Sequence, residues 1–398
     1  MLNICLKSKL LTMIFYTYIM NYCNYNKLTK GYNTLKGVFM KKKVMVAMSG
    51  GVDSSVAAVL LKDQGYDICG ATLKLFSDED VLSSCSRYRT CCSLEDVEDA
   101  RSVCHKLGIE HFVFNFKETF QDEVIQKFKR KYEEGSTPNP CIDCNKYIKF
   151  SKLIQRAILM GKDYIATGHY ARIEFDNASG RYLLKRAVDL SKDQSYVLYV
   201  LTQHDLSRTL FPLGGMLKAE VRKIAEERDL INARKPDSQD ICFVRDGDYA
   251  GFLENMMGVE SKKGNFVDTE GNVIGEHKGI IHYTVGQRKG LGIALGKPVY
   301  VIDKNKELNT VTIGSEEELY SKTLKATELN MIAVEKLTTT MKATVKTRYS
   351  QKETEALIHP DGEDSIIVEF IHKQRAITPG QAVVFYDGDI VIGGGTII

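Results

Sequence analysis

Ser49-Gly50-Gly51-Val52-Asp53-Ser54 lies between an apolar strand pattern and an apolar helix pattern, and its reading decides the fold. Upstream, Val44-Met45-Val46-Ala47-Met48 is a short apolar run of the kind that makes a buried parallel strand. Downstream, Ser55 to Leu61 carries apolar residues at helical spacing, and Gly65 supplies a stop. Two glycines let the backbone approach an anion closely, and the amides of the helix start point at it. Ser49 and Ser54 add hydroxyl donors, and Asp53 suits a helix cap or a metal contact. The stretch therefore reads as a loop that binds pyrophosphate.

No lysine falls between Lys43 and Lys62, so this is not the lysine-bearing G-x-x-x-x-G-K-[ST] loop. Backbone amides and hydroxyls must do most of the anion binding. The pattern resembles the PP-loop of N-type ATP pyrophosphatases, which implies cleavage of ATP to AMP and pyrophosphate.

From Met40 to about Asp163, strand and helix patterns alternate. Tyr66–Leu75, His111–Phe114 and Tyr164–Thr167 read as strands; helices are expected from Ser93 to Leu107, Lys117 to Glu134 and Phe150 to Met160. This order predicts an α/β fold, a doubly wound parallel sheet with its ligand at the carboxyl ends of the strands. Beyond Pro236, short β-like runs separated by Gly, Asp and Asn take over. The expected domains are a catalytic unit over 40–247, a small β-rich module over 248–310 and a C-terminal β-barrel-like domain over 311–398.

Residues 1–39 differ in texture. They hold five lysines, no acid and no arginine, so they carry +5 of a formal net charge of +3, and the remainder sums to −2. They are expected to be an extension outside the fold. The near-neutral body excludes a strongly basic surface, so any nucleic acid must meet a local patch. No apolar run approaches the roughly 18 residues that span a bilayer. Ten cysteines without an export signal fit a reducing cytoplasm, where clustered thiols serve catalysis or metal binding.

Those thiols include Cys141 and Cys144 in Thr137-Pro138-Asn139-Pro140-Cys141-Ile142-Asp143-Cys144-Asn145, a rigid, proline-led approach. A C-x-x-C pair serves redox chemistry, half a zinc site or part of a cluster. No second pair completes a zinc site; the remaining candidate partner is Cys242, in polar surroundings. Cys69 and Cys104 sit on strand and helix patterns and read as core.

The loop at 49–54, Thr137–Asn145, Ala166-Thr167-Gly168-His169-Tyr170, Lys192-Asp193-Gln194-Ser195-Tyr196, Ser238-Gln239-Asp240-Ile241-Cys242-Phe243 and Tyr283–Gly292 occur in order. Together they resemble the bacterial tRNA-specific 2-thiouridylase family from about Met40 to the C-terminus. The resemblance implies a sulfurtransferase that adenylates the C2 oxygen of the wobble uridine in tRNAs for Lys, Glu and Gln, then displaces AMP with sulfur. It implies Cys242 as persulfide carrier and Cys144 as the nucleophile, ending in a Cys144–Cys242 disulfide. ATP with Mg2+ would meet Ala47, Met48, Ser49, Gly50, Gly51, Val52, Asp53, Ser54, Leu73 and Gly168. Asn139, Pro140 and Cys141 would surround the target base beside His169. Lys192, Asp193, Gln194, Arg348, Tyr349 and Gln381 would touch tRNA. The implied partners are tRNA and a sulfur donor such as a cysteine desulfurase or relay protein, with neither DNA nor a membrane.

One position departs from the pattern. Many members carry aspartate where this chain has Cys141. That makes a trio, Cys141, Cys144 and Cys242, of the type that holds an iron–sulfur cluster in related thiolases. Two sulfur routes stay open, a persulfide relay and a cluster. Two rivals of other classes are another PP-loop ligase, which does not need Cys144 and Cys242, and a non-catalytic tRNA-binding protein, which does not need the loop. The Cys85–Cys92 stretch reads as an active-site cover or a sulfur-transfer contact.

Overall fold

The computed structural model describes residues 41–76, 94–237, 241–244, 247–293 and 295–398. The extension over 1–39, the Ser93 cap, the Cys85–Cys92 stretch and Ser238-Gln239-Asp240 lie outside them.

Alternating apolar residues build the first sheet. In β1 (Lys43–Ala47), Met45 enters one core while Val44 and Val46 enter the other, so both faces are covered. β2 (Asp67–Lys74), β3 (His111–Asn115) and β4 (Tyr164–Ala166) follow, then a hairpin of β5 (Ala171–Asp176) and β6 (Arg181–Arg186), then β7 (Thr209–Leu210). The sheet order is β3-β2-β1-β4-β7, all parallel. Strand order reverses at β1, so a crevice opens between the carboxyl ends of β1 and β4.

Helices cover both faces. α1 (Val52–Asp63) and α2 (Leu94–Leu107) pack Val56, Ala57, Ala100 and Val103 on one side. On the other lie α3 (117–133) and α4 (140–159), through Phe120, Phe128, Ile148 and Leu153. The expected α4 start at Phe150 is corrected. The helix begins at Pro140, because Asn139 caps it by accepting the Cys141 N–H (3.1 Å) and proline suits its first position. The cysteine pair is thus helical rather than on a loop. From Cys144 to Lys152 the coil widens to π geometry, a feature frequent at functional sites.

α5 (Lys218–Glu227) returns to the α1 face, and α6 (Tyr249–Met257) leads into a small sheet. That sheet holds β8 (Gly264–Val267), β9 (Val273–His277), β10 (Tyr300–Asn305) and β11 (Thr310–Gly314) in the order β10-β11-β8-β9. β11 runs past the expected boundary at 310. The β8–β9 turn is closed by Asp268, whose carboxylate accepts the N–H groups of Glu270 (3.0 Å) and Asn272 (2.8 Å).

The C-terminal strands are β12 (Tyr320–Met331), β13 (Met341–Lys346), β14 (Thr354–Pro360), β15 (Ile366–Arg375), β16 (Ala382–Asp387) and β17 (Ile390–Ile397). They run β12-β15-β14-β13-β16-β17, and β12 pairs with β17 to close a six-stranded antiparallel barrel. Val368, Phe370, Val383 and Phe385 fill it. The β5–β6 hairpin departs from the parallel sheet and joins this barrel, pairing Lys185 with Ile390. Among the described residues no helix is long and apolar enough to cross a membrane.

Candidate active site

The loop 49–54 leaves β1 at the crevice and enters α1. Gly50 takes φ +73°, and a Cβ there would stand 2.4 Å from the Asp96 carbonyl oxygen. Gly168, leaving β4, lies against the same loop: its Cβ would meet the Ser54 nitrogen at 2.7 Å. Only glycine allows both approaches. Gly51, at the helix cap, has no side chain to accept from the first amides of α1, so these keep their capacity for an anion. The Ser49 N–H donates to the Ser54 hydroxyl (3.2 Å), which bonds to the Gly51 carbonyl (3.1 Å). Ser49 is exposed, Met48 and Leu73 are buried, and Ala47 is half-buried. The expected nucleotide residues therefore gather around one crevice.

Asp53 is engaged by two residues through three contacts. Its Oδ1 accepts the Tyr170 hydroxyl (2.9 Å), and both its oxygens take Lys218 Nζ (2.6 and 2.8 Å). Burial, then the Asp53 charge, pushes the Tyr170 phenol well up, so it stays a donor. Lys218 also reaches Asp237 (2.8 Å), which Lys192 and Arg222 hold as well (2.8 Å each). Burial alone would raise the Asp237 carboxyl; its lysine partners bring it down to about 2. Asn232 donates its amide to the carbonyls of Gly50 (2.9 Å) and Gly51 (3.3 Å). Lys235 pairs with Asp96 and Asp99 at 2.6 Å each. The segment 232–237, which leads to Cys242, is thereby strapped to the loop.

Sequence reasoning missed Lys218, Asn232 and Asp237. No local motif marks them; only the topology, which starts α5 near the loop, brings Lys218 there. Tyr170 stood in a quoted motif, but its bond to Asp53 joins residues far apart in the chain.

His169 connects the two halves of the site. Its ring packs on Phe150 of α4 (5.7 Å between centroids) and on Phe211 (6.0 Å), with Nδ1 2.7 Å from the Thr167 hydroxyl. Burial, reinforced by the charge of Lys149, holds it neutral well below the usual histidine range. The unfolded chain takes up a proton near pH 6.5 that the folded one refuses. Stability is therefore full above that pH and lost as pH falls, by up to about 1.4 kcal/mol per unit. Urea titrations between pH 8 and 5.5 check this: the wild type should lose more stability on acidification than His169→Gln, and parallel losses would refute it.

Cys144 is 7% exposed and belongs to the core cluster against which Ile241 and Cys242 pack. Cys141, one helical turn earlier, is half-buried. All three are thiols; the expected Cys144–Cys242 disulfide is not formed. Among the described residues no three His, Cys, Asp or Glu side chains converge as a metal-holding group, so the cysteine trio does not fit a cluster as it stands. Asp143, the nearest acid, is turned to Lys127 (2.8 Å).

The remaining expected residues line the junction with the barrel. Gln381 donates to the Thr137 carbonyl (2.6 Å), and the Thr137 N–H donates to Pro379 (2.9 Å). Tyr349 is exposed, and its hydroxyl donates to the Asp193 carbonyl (3.2 Å). Loss of water around the hydroxyl where it meets the Asp193 backbone, then the charge of Asp193, pushes that phenol up although the ring is exposed. Arg348 is turned inward to the carbonyls of Val285 (3.0 Å) and Ala376 (3.1 Å) and to the Thr378 hydroxyl. The Asp193 carboxylate accepts the Ala187 N–H (3.0 Å) and the Ser195 hydroxyl (2.6 Å), and Gln194 accepts the Tyr170 N–H (2.9 Å). Tyr349 is thus the outward-facing member, while the side chains of Arg348, Asp193, Gln194 and Gln381 fix the cleft. Asn139 and Pro140 form the start of α4 facing it.

Residues 42–246 match the family described as tRNA methyl transferase HUP domain. Residues 250–315 match the tRNA methyl transferase PRC-barrel domain, and 321–397 the aminomethyltransferase beta-barrel domain. The tRNA-specific 2-thiouridylase MnmA of Acetivibrio thermocellus is 55% identical over 357 residues, which cover 90% of this chain and 99% of that protein. The corresponding protein of Clostridioides difficile is 53% identical over 360 residues, 90% of this chain and 99% of its own. Among solved structures, NMN synthetase from Francisella tularensis is 19% identical with a TM-score of 0.30, covering 55% of this chain and 73% of that one.

Proposed function

The chain belongs to the tRNA-specific 2-thiouridylase family, and from that premise we propose that it replaces the C2 oxygen of the wobble uridine, U34, in tRNAs for Lys, Glu and Gln with sulfur at the expense of ATP. The uracil C2 oxygen is a poor leaving group. Its attack on the α-phosphate of ATP forms an adenylated base and releases pyrophosphate. The residues that hold the nucleotide are Ala47 to Ser54, Leu73 and Gly168, with Asp53 the loop acid able to take Mg2+ beside the phosphates.

Sulfur arrives as a persulfide on Cys242, loaded by a sulfur-donating protein such as a cysteine desulfurase or relay protein. The Cys144 thiolate attacks the inner sulfur, forming a Cys144–Cys242 disulfide and releasing hydrosulfide. Hydrosulfide adds at C2 and AMP leaves with the original oxygen. A dithiol reductant then restores both cysteines. The cysteine trio does not converge as cluster ligands, so no step runs through an iron–sulfur cluster.

Asn139, Pro140, Cys141 and His169 surround the target base in this reading, and Lys192, Asp193, Gln194, Arg348, Tyr349 and Gln381 hold tRNA around it. We assign 40–247 to catalysis and the small β-rich module from 248, which runs on through β11 to Gly314, and the barrel after it to gripping tRNA, and place the protein in the cytoplasm. The observation that carries the reading is the uncapped, glycine-lined loop at the β1–β4 crevice, linked through His169 and Phe150 to the helix of Cys144. The test is incubation of the purified protein with MgATP, a persulfide source and unmodified tRNA. The expected products are 2-thiouridine, AMP and pyrophosphate; unmodified tRNA beside an active positive control would overturn it.

A further inference from the structure

The stretch Tyr283–Gly292 serves neither the nucleotide crevice nor the cysteine chemistry, yet its shape is closely determined. Tyr283 and Leu291 are buried in the core of the small β-rich module, and Val285 is buried in a cluster with Ala376, just past β15. Between these anchors Gln287 ties the turn to itself. Its side-chain oxygen accepts the Thr284 N–H (3.0 Å), and its amide donates to the Lys289 carbonyl (3.0 Å). The Gly286 N–H donates to the Val301 carbonyl (2.8 Å), and the Val301 N–H to the Gln287 carbonyl (3.0 Å), which pins the turn to β10. Gly286 takes φ +89°, and a Cβ there would stand 2.7 Å from the Ala376 Cβ, so the turn presses on the barrel where only glycine fits. Arg348 completes the seat by donating to the Val285 carbonyl (3.0 Å). The turn therefore stands beside the Arg348–Tyr349 segment, whose tyrosine faces outward.

What this turn presents is unopposed charge. Arg288, Lys289 and Gly290 are exposed at its tip. Among the described residues neither cation has an acid within ion-pairing distance. Arg375, which approaches Gly286, is by contrast neutralised by Glu316 (3.2 Å). From 278 to 302 the chain holds four cations, Lys278, Arg288, Lys289 and Lys297, and no acid. In a near-neutral body this is the kind of local basic patch that a nucleic acid requires. Two surface cations are ordinarily a solvated face, but a solvated face needs no glutamine staple and no backbone pinning beneath it. No exposed ring on the turn can stack a base, since Tyr283 and the neighbouring Tyr300 are buried. Two flexible cations side by side suit successive phosphates of a strand laid across them.

We propose that Arg288 and Lys289 clamp the phosphate backbone of the tRNA next to the stretch that enters the cleft at Tyr349. The proposal rests on the tRNA-thiolating reading above and adds the contact by which the small module takes part. The clamp supplies affinity and register without reading sequence.

The test is equilibrium binding of unmodified tRNA to the full chain across a salt series, with steady-state thiolation beside it. The double variant Arg288→Gln/Lys289→Gln should weaken tRNA binding about 10-fold near physiological salt and lower the slope of log affinity against log salt by about 1.5. The KM for tRNA should rise by a similar factor, with kcat, MgATP affinity and the urea midpoint unchanged. Arg288→Lys/Lys289→Arg, which keeps both charges, should bind as the wild type does. Unchanged affinity and salt slope in the glutamine variant would overturn the clamp. So would an equal loss in the charge-preserving variant, which would make the pair structural. Wild-type affinity for random duplex DNA equal to that for tRNA, with the same loss in the glutamine variant, would reduce the turn to a general polyanion patch and refute the assignment. A wild type that binds no tRNA overturns the functional reading first; one that thiolates tRNA while the glutamine variant binds it unaltered overturns the clamp alone.

Discussion

Cys144→Ser should lower tRNA thiolation by at least about 1,000-fold while tRNA-dependent release of pyrophosphate from ATP continues. A serine hydroxyl is nearly isosteric with the thiol. At pH 7 it is far less ionised, and it cannot form the disulfide by which the proposed mechanism frees the sulfur atom. In the proposed mechanism adenylation belongs to the loop at 49–54 and does not need Cys144, so the two half-reactions should come apart. Cys144 is buried in an apolar cluster, and the small change of atom leaves the packing nearly intact. Nucleoside analysis beside pyrophosphate release checks the outcome. Thiolation within tenfold of wild type would remove Cys144 from the mechanism, and loss of both half-reactions would point to collapse of the site.

Gly50→Ala carries the second large expected effect. The residue has φ +73°, and its new Cβ would stand 2.4 Å from the Asp96 oxygen and 2.7 Å from the Asp96 Cα. Both obstacles are backbone of α2, which cannot turn aside as a side chain would. The left-handed conformation and the overlap together should cost about 2–5 kcal/mol, with loss of ATP binding as the loop shifts. Gly51→Ala is the internal control. Its Cβ meets nothing nearer than the Ser49 hydroxyl at 3.5 Å, so stability should change by less than about 1 kcal/mol. Urea denaturation of the two variants gives the comparison, and equal midpoints would show that α2 does not press on the loop.

Much of the catalytic half was legible because its signals are local. The apolar run before Ser49, the glycines and the helical spacing after Ser54 all lie within a short stretch, and the parallel order followed from alternation. The start of α4 was misplaced although its signals were equally local. Asn139 and Pro140 make a cap and a first helical position, but two nearby prolines read more readily as a rigid loop. What stayed illegible is long-range. Closure of β12 on β17, the seat of the β5–β6 hairpin and the approach of Lys218 to Asp53 each join residues that no window of sequence holds together. The outward pose of Tyr349 and the inward pose of Arg348 likewise depend on which carbonyls the fold presents.

The hairpin has a consequence for the order in which the protein is made. β6 leaves the ribosome long before its neighbour β17, which lies far downstream in the chain. Arg172 waits for Asp389, and Arg186 for the Tyr386 ring that it covers at 4.0 Å. Until then the nascent catalytic half carries an open strand edge, the surface on which chains pair wrongly. A chain cut short before Asp389 would keep every residue of the nucleotide crevice and expose that edge permanently. Proteolytic quality control would then meet a sticky fragment rather than a smaller enzyme.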